Sequence, residues 1–337
     1  MAHRTPRSSY ERLSTRLNLF PQGAAPSELL YQILALLFSS AEAELVAALP
    51  IKPFTAELAA RNWKVSVVEA EKILQRLAGR ALLVDIRGKD KTEYVMPPPM
   101  AGFFEFALMR TRGDIDQKLL SELYEQYISV EDDFIRQLFL TGNTQLGRVF
   151  VLEDSVSSEH ALHVLDYERA TQVIETADEI GVGLCYCRHK REHQGKACDA
   201  EMDICMTFNT VAASLIRSEY ARRVDRHECK ELLHKAWEQN LVQFGENVQN
   251  GVNFICNCCP CCCEAMLAAQ RFGHEHNPEY SPDSDHIGTS TDEVLLSRVL
   301  RDAGYATCFA GKWHLGPTAE FWPKAQGFDQ NFGGHDR

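Results

Sequence analysis

Positive charge is scarce in this chain of 337 residues, with 35 Lys and Arg against 47 Asp and Glu and a formal net charge of −12. A phosphate backbone attracts surplus Lys and Arg, so general nucleic-acid binding is excluded as the main role. Long apolar runs are lacking as well. The longest, "LLYQILALLF" from Leu29 to Phe38, is too short to cross a bilayer and carries Gln32 inside it. The first twenty residues have arginines but no apolar stretch followed by a small-residue cleavage site, so a cytoplasmic protein without a membrane partner is expected. Cysteine is missing from the first 184 residues.

What is present is sulfur, concentrated. Eleven of the twelve cysteines lie between Cys185 and Cys263, and the twelfth is Cys308. In a reducing cytosol such crowding points to metal ligation or redox chemistry before disulfides. With 45% hydrophobic residues the chain has enough apolar material for a core shared among two or three domains.

The expected fold class is α+β, mainly helical. Residues 1–23 read as a polar arm. From 24 to 110 the pattern is helical, then hairpin. Ser27 caps a helix with Leu29, Leu30, Ile33, Leu34, Leu37 and Phe38 at helical spacing, and shorter helices cover "AEAELVAAL" and "TAELAARNW". Ser66 caps another, with Val67, Ala70, Ile73, Leu74 and Leu77 on one face and Gly79 as its stop. "ALLVDIRGKDKTEYVMP" then reads as strand, charged turn and strand. Helices followed by a two-stranded wing predict a winged-helix-like domain. DNA is the less favoured partner, because Glu69 and Glu71 dilute Lys72, Arg76 and Arg80 on the would-be recognition helix. A docking or dimerising module is the favoured reading.

Residues 111–165 read as a helical connector, through "DIDQKLLSELYEQYI" and "EDDFIRQLFL", ending in the strand "RVFVLE". The amphipathic segment 166–180 then leads into a cysteine-rich domain over 166–272. Its first group, Cys185, Cys187, Cys198 and Cys205, is spaced C-x-C-x10-C-x6-C, and its second is Cys256, Cys258, Cys259, Cys261, Cys262 and Cys263. Tetrahedral zinc sites draw ligands from C-x2-C or C-x4-C knuckles. A multi-iron cluster accepts ligands from separated loops, because each thiolate holds a different iron. The spacing therefore favours an iron–sulfur cluster over zinc. One [4Fe-4S] cluster takes four thiolates, so ten leave room for a second cluster, a redox dithiol or plain buried thiols. Neighbouring residues on a strand face opposite ways, which separates Cys258 from Cys259. Cys229 sits in a helical pattern and reads as structural. Arg188 and Lys190 can offset cluster charge, which makes them candidate cofactor-binding residues.

The stretches "CYCRHK", "GKACDAEMDICMTFN", "GENVQNGVNFICNCCPCCCEAM" and "AAQRF" resemble a family of bacterial and archaeal iron–sulfur proteins known as ferredoxins or (4Fe-4S)-binding proteins, over about residues 167–271 and more loosely from 24. The resemblance implies a [4Fe-4S] protein for one-electron transfer or redox sensing, with one cluster or two and a redox protein as partner. Cys187, Cys198 and Cys205 with Cys256, Cys258 or Cys259 are then the leading ligands, followed by Cys185, Cys261, Cys262 and Cys263. The C-x2-C-x2-C-x3-C-P runs of that family do not occur here.

After the polar linker at 273–285 the character changes. "GYATCFAGKWHLG" and "GFDQNFGG" resemble the sulfatase family, over 286–337. That resemblance implies a partial α/β segment in which Lys312 and His314 face a sulfate group, and an alternative function as a sulfatase-related protein. It departs from the family at the nucleophile. Where C/S-x-P-x-R is needed, Cys258 and Pro260 are followed by Cys262 in place of arginine, and the expected Asp-Asp metal ligands do not appear. A zinc-binding winged-helix regulator is the third reading.

Overall fold

The computed structural model describes residues 6–20, 23–131, 133–140, 147–150, 169–248 and 250–272, and in the C-terminal part 297–298, 301, 306, 308–310 and 324–332. Two compact units divide at Arg271/Phe272.

The first unit begins with α1 (Pro6–Leu17), α2 (Glu28–Leu37) and α3 (Ser40–Ala47). The expected polar arm is instead a helix from Pro6. Leu13 and Leu17 are fully buried, and Arg16 is drawn in with them because its guanidinium donates to the carbonyls of Leu49 (2.8 Å) and Pro50 (2.6 Å). Two leucines four apart and a clamped arginine suffice to dock a segment whose average composition is polar. Caps follow the side chains. Ser27 Oγ accepts from the Leu30 N–H, and Ser39 with Glu42 closes a capping box.

Next come β1 (Phe54–Thr55), α4 (Ala56–Trp63), α5 (Val67–Gly79), β2 (Val84–Arg87) and β3 (Thr92–Val95). The strands form an antiparallel sheet ordered β1-β3-β2. Asp85 ties this hairpin to the rest of the unit. Its carboxylate accepts from Ser214 Oγ at 2.6 Å and Arg217 Nε at 3.0 Å.

A kinked turn at Pro99–Phe103, α6 (Phe104–Phe106), α7 (Gln117–Tyr124), a π-helical turn Glu125–Val130 and α8 (Asp133–Leu140) carry the chain onward. Phe103, Phe104, Tyr124, Tyr127 and Phe134 pack as an aromatic column, with successive ring centroids 4.8–6.4 Å apart.

Behind it lies the element that the helical reading of the sequence did not anticipate, a six-stranded antiparallel sheet. Its strands are β4 (Gly147–Val149), β5 (Ile180–Leu184), β6 (Asp203–Phe208), β7 (Arg222–Arg223), β8 (Val242–Glu246) and β9 (Phe254–Cys258), in the order β4-β8-β9-β6-β5-β7. Helices α9 (Ala170–Thr176), α10 (Tyr186–His193), α11 (Asn209–Arg217), α12 (Arg226–Glu238) and α13 (Glu264–Phe272) intervene or follow. Strand alternation sorts the side chains. Met206, Phe208 and Ile255 face a core with Ile174, Leu233 and Cys229, which places Cys229 among buried apolar groups. Cys205, Phe254, Cys256 and Cys258 line the opposite side. Gly245 is required where β8 crosses β9, since a Cβ there would lie 2.4 Å from the Phe254 carbonyl oxygen.

In the second unit, β10 (Cys308–Ala310) and β11 (Gln330–Phe332) pair in parallel. The expected linker at 273–285 lies outside the described residues, as do Lys312 and His314. Mixed helices and sheets fit the expected α+β class, with the sheet content concentrated in the cysteine-rich part.

Candidate metal centre

The ten cysteines of the two groups, up to 78 residues apart in sequence, converge at one end of the six-stranded sheet, and there they divide into two sets. Six form a chain, four of them buried and Cys185 and Cys256 half-buried. Cys185 bonds Cys187, which bonds Cys263, and the Sγ of Cys263 lies 3.3 Å from that of Cys258. Cys258 in turn bonds Cys256, and Cys256 bonds Cys205. These six, together with Cys259, line a cavity of about 60 Å³, faced on its other side by Met100, Glu105 and Met109. That is space for ions or a few waters.

The inner thiols sit in opposed electrostatic surroundings. Burial and the neighbouring sulfurs push Cys187 well above the ordinary thiol range. Cys263 is held well below it by its bonds to Cys187 and Cys258 and by the N–H groups of Ala265 and Met266 at the start of α13. Cys185 is lowered to about 7 by its bond to Cys187, against the cost of burial and with help from Arg188. Glu105 lies half-buried beside them. Burial raises its carboxyl to about 7 although the Ala101 N–H bonds it, and the nearby sulfurs of Cys263 and Cys185 add to the rise.

The other four, Cys198, Cys259, Cys261 and Cys262, form a separate tetrad in which all the sulfurs lie within 4.8 Å of one another. Individual separations are 3.6 Å for Cys198–Cys259 and 3.8 Å for both Cys198–Cys262 and Cys261–Cys262. Cys261 is exposed, Cys198 half-buried, and Cys259 and Cys262 buried. Pro260 and the turn after β9 produce this arrangement. Cys258 ends the strand facing the cavity, and the next residue turns its sulfur to the outer set, as alternation requires. This tetrad can hold a metal ion.

The two candidate cations of α10 have different partners. Arg188 is fully buried. Its guanidinium lies beside the sulfurs of Cys259 and Cys198 and donates to the carbonyls of Glu201 (2.7 Å) and Asn257 (2.8 Å). Lys190, expected to serve a cofactor, instead points away from the sulfurs. Its Nζ donates to Glu125 at 2.6 Å and pairs with buried Glu264. Two residues along a helix is a rotation of about 200°, so both cations cannot face one target. His189 Nδ1 is engaged by the Leu108 carbonyl at 2.7 Å.

Comparison with known proteins bears on the other end of the chain. The sulfatase family model matches residues 239–336. The C-terminal part of the chain is similar to the sulfatase family. It is 44% identical over 61 residues to N-acetylgalactosamine-6-sulfatase of Sus scrofa, covering 18% of this chain and 12% of that relative. It is 43% identical over 54 residues to the Homo sapiens protein of the same name, covering 16% and 10%. Arylsulfatase G of Mus musculus is 46% identical over 46 residues, covering 14% and 9%. The chain thus spans roughly a tenth of the length of these sulfatases. No solved structure matches.

These findings overturn the expectation of a [4Fe-4S] electron-transfer protein, since the family and the relatives that match are sulfatases. Sulfur geometry is a second, physical reason. The terminal thiolates of a cubane sit on four different irons, whereas the tetrad is compact enough for its sulfurs to meet on one atom. The sulfatase match starts at residue 239, so its range includes the Cys258–Cys262 stretch.

Proposed function

We propose that the protein is sulfatase-related and recognises a sulfuric ester through its C-terminal segment, with Lys312 and His314 facing the sulfate. The carrying observation is the sulfatase match over 239–336, which contains the "GYATCFAGKWHLG" stretch. Lys312 follows β10 by two residues, and β10 pairs in parallel with β11. Ligands of parallel α/β sheets bind beyond the carboxyl ends of their strands, and in sequence Lys312 comes just after such an end. A cation and a hydrogen-bond donor offset charge on sulfate oxygens.

The reading is recognition without a hydrolytic centre assembled from the described residues. Cys258, at the nucleophile position, is buried with its sulfur against Cys263, and Cys262 stands where arginine is needed. Titrating the full chain with an aryl sulfate tests the proposal. Saturable binding that Lys312→Ala weakens at least tenfold, with no release of the phenol, is expected. Equal affinity in wild type and Lys312→Ala defeats it.

The N-terminal helices and the β1-β3-β2 sheet are, in this proposal, a winged-helix-type docking module and not a DNA reader. What supports it is α5, which exposes Val67 and Val68 together with Glu69 and Glu71.

A further inference from the structure

Four thiols that gather while six neighbours form a separate chain need a reason. We propose that Cys198, Cys259, Cys261 and Cys262 form a mononuclear, tetrahedral site for a soft divalent cation of the zinc class, with the guanidinium of Arg188 packed against two of its sulfurs.

Distance is the first support. Four thiolates about 2.3 Å from a central zinc have tetrahedral edges of about 3.8 Å. Three edges of the tetrad, Cys198–Cys259, Cys198–Cys262 and Cys261–Cys262, are 3.6, 3.8 and 3.8 Å. The remaining edges are at most 4.8 Å, so closure needs movements of no more than about 1 Å.

Charge is the second. A divalent ion with four thiolates carries two net negative charges, and a buried anion of that kind requires a counter-charge. Arg188 supplies it, and its position is over-determined by the carbonyls of Glu201 and Asn257. Backbone donors complete the shell, with the N–H of Ala200 bonding the Cys198 sulfur and the N–H of Cys198 bonding that of Cys262. Groups that orient ligands and tune their basicity are what a metal site requires beyond its ligands.

Spacing is the third. Cys259 and Cys262 are a C-x2-C knuckle around Pro260, with Cys261 between them and Cys198 arriving from the loop after α10. The inner six are strung in a line along the sheet face, and among the described residues no four of them gather as the tetrad does. The inference does not rest on the sulfatase reading.

The test uses the full chain, reduced, stripped with a chelator and titrated anaerobically with zinc alone or cobalt alone. Wild type is expected to bind one equivalent tightly, and the cobalt form to show sulfur-to-metal charge transfer with intense tetrahedral d–d bands. Cys261→Ser, at an exposed position that leaves the core intact, is expected to weaken zinc at least tenfold. Cys198→Ser is expected to do the same. Cys187→Ser, in the inner chain, should keep the full equivalent and the same cobalt spectrum. Unchanged binding in Cys261→Ser and Cys198→Ser, or loss of the equivalent in Cys187→Ser with an unchanged circular dichroism spectrum, would overturn the assignment.

Discussion

The inner and outer thiols interleave over Cys256–Cys263 in sequence yet live in different chemistry. The inner six line a cavity and lie in file along the sheet face. The outer four surround a point and reach the surface through Cys261. The difference teaches that cysteine density alone does not define a metal site. Convergence on one centre, with a counter-charge beside it, does.

The adjacent cations of α10 sharpen that contrast most strongly. Lys190 belongs to a buried carboxylate network, so Lys190→Met strands Glu264 and Glu125 and should cost about 3–5 kcal/mol in a urea titration while leaving zinc stoichiometry unchanged. A loss of metal without loss of stability would place Lys190 with the sulfurs after all. Arg188→Lys should act the other way. Its shorter head group cannot keep the guanidinium's contacts with Cys198 and Cys259, and zinc affinity should fall about 10–100-fold in competition with a chromophoric chelator.

Smaller effects separate the thiols themselves. In metal-free protein, Cys205→Ser places a hydroxyl in the buried chain and should cost about 1–3 kcal/mol. Cys261→Ser, being exposed, should stay within about 0.5 kcal/mol. Equal costs at the two positions would erase the distinction between the sets.

Away from the sulfurs, acid tests the joint that holds the hairpin to the sheet domain. Burial opposes the charge on Asp85, but Arg217 and Ser214 more than offset it and hold the carboxyl below its usual range. A carboxyl depressed on folding stabilises the protein above its unfolded pKa, and the contribution disappears as pH falls through the folded value. Wild type should therefore lose stability below about pH 4, and Asp85→Asn should lose that part of the acid slope. An identical slope in the variant would remove Asp85 from the account.

Local features were legible in the sequence because they depend on near neighbours. Ser27 and Ser66 cap where they should, and the turn around Gly88 joins β2 to β3. The sheet was not legible, because its order joins β4 to β8 and β6 to β9 across long stretches of chain, and pairing at such range leaves no periodic trace. Helix α1 was hidden by eight polar residues among its twelve, with two leucines and Arg16 deciding the outcome. The knuckle was hidden by abundance. Cys256–Cys259, Cys258–Cys261 and Cys259–Cys262 all have C-x2-C spacing, and only the fold selects the last. Arg188 was legible as a cation near sulfur; that Lys190 turns away follows from the helix, a step the linear pattern does not reveal. The C-terminal resemblance was legible from one motif, since "GKWHLG" keeps its residue order whatever precedes it.

X-ray absorption at the zinc edge of the loaded full chain is the most direct test of the division into four and six. A single shell of four sulfurs at about 2.3 Å, with no metal neighbour beyond it, is the predicted result. A second metal atom in the next shell, or nitrogen and oxygen in place of sulfur, would contradict it.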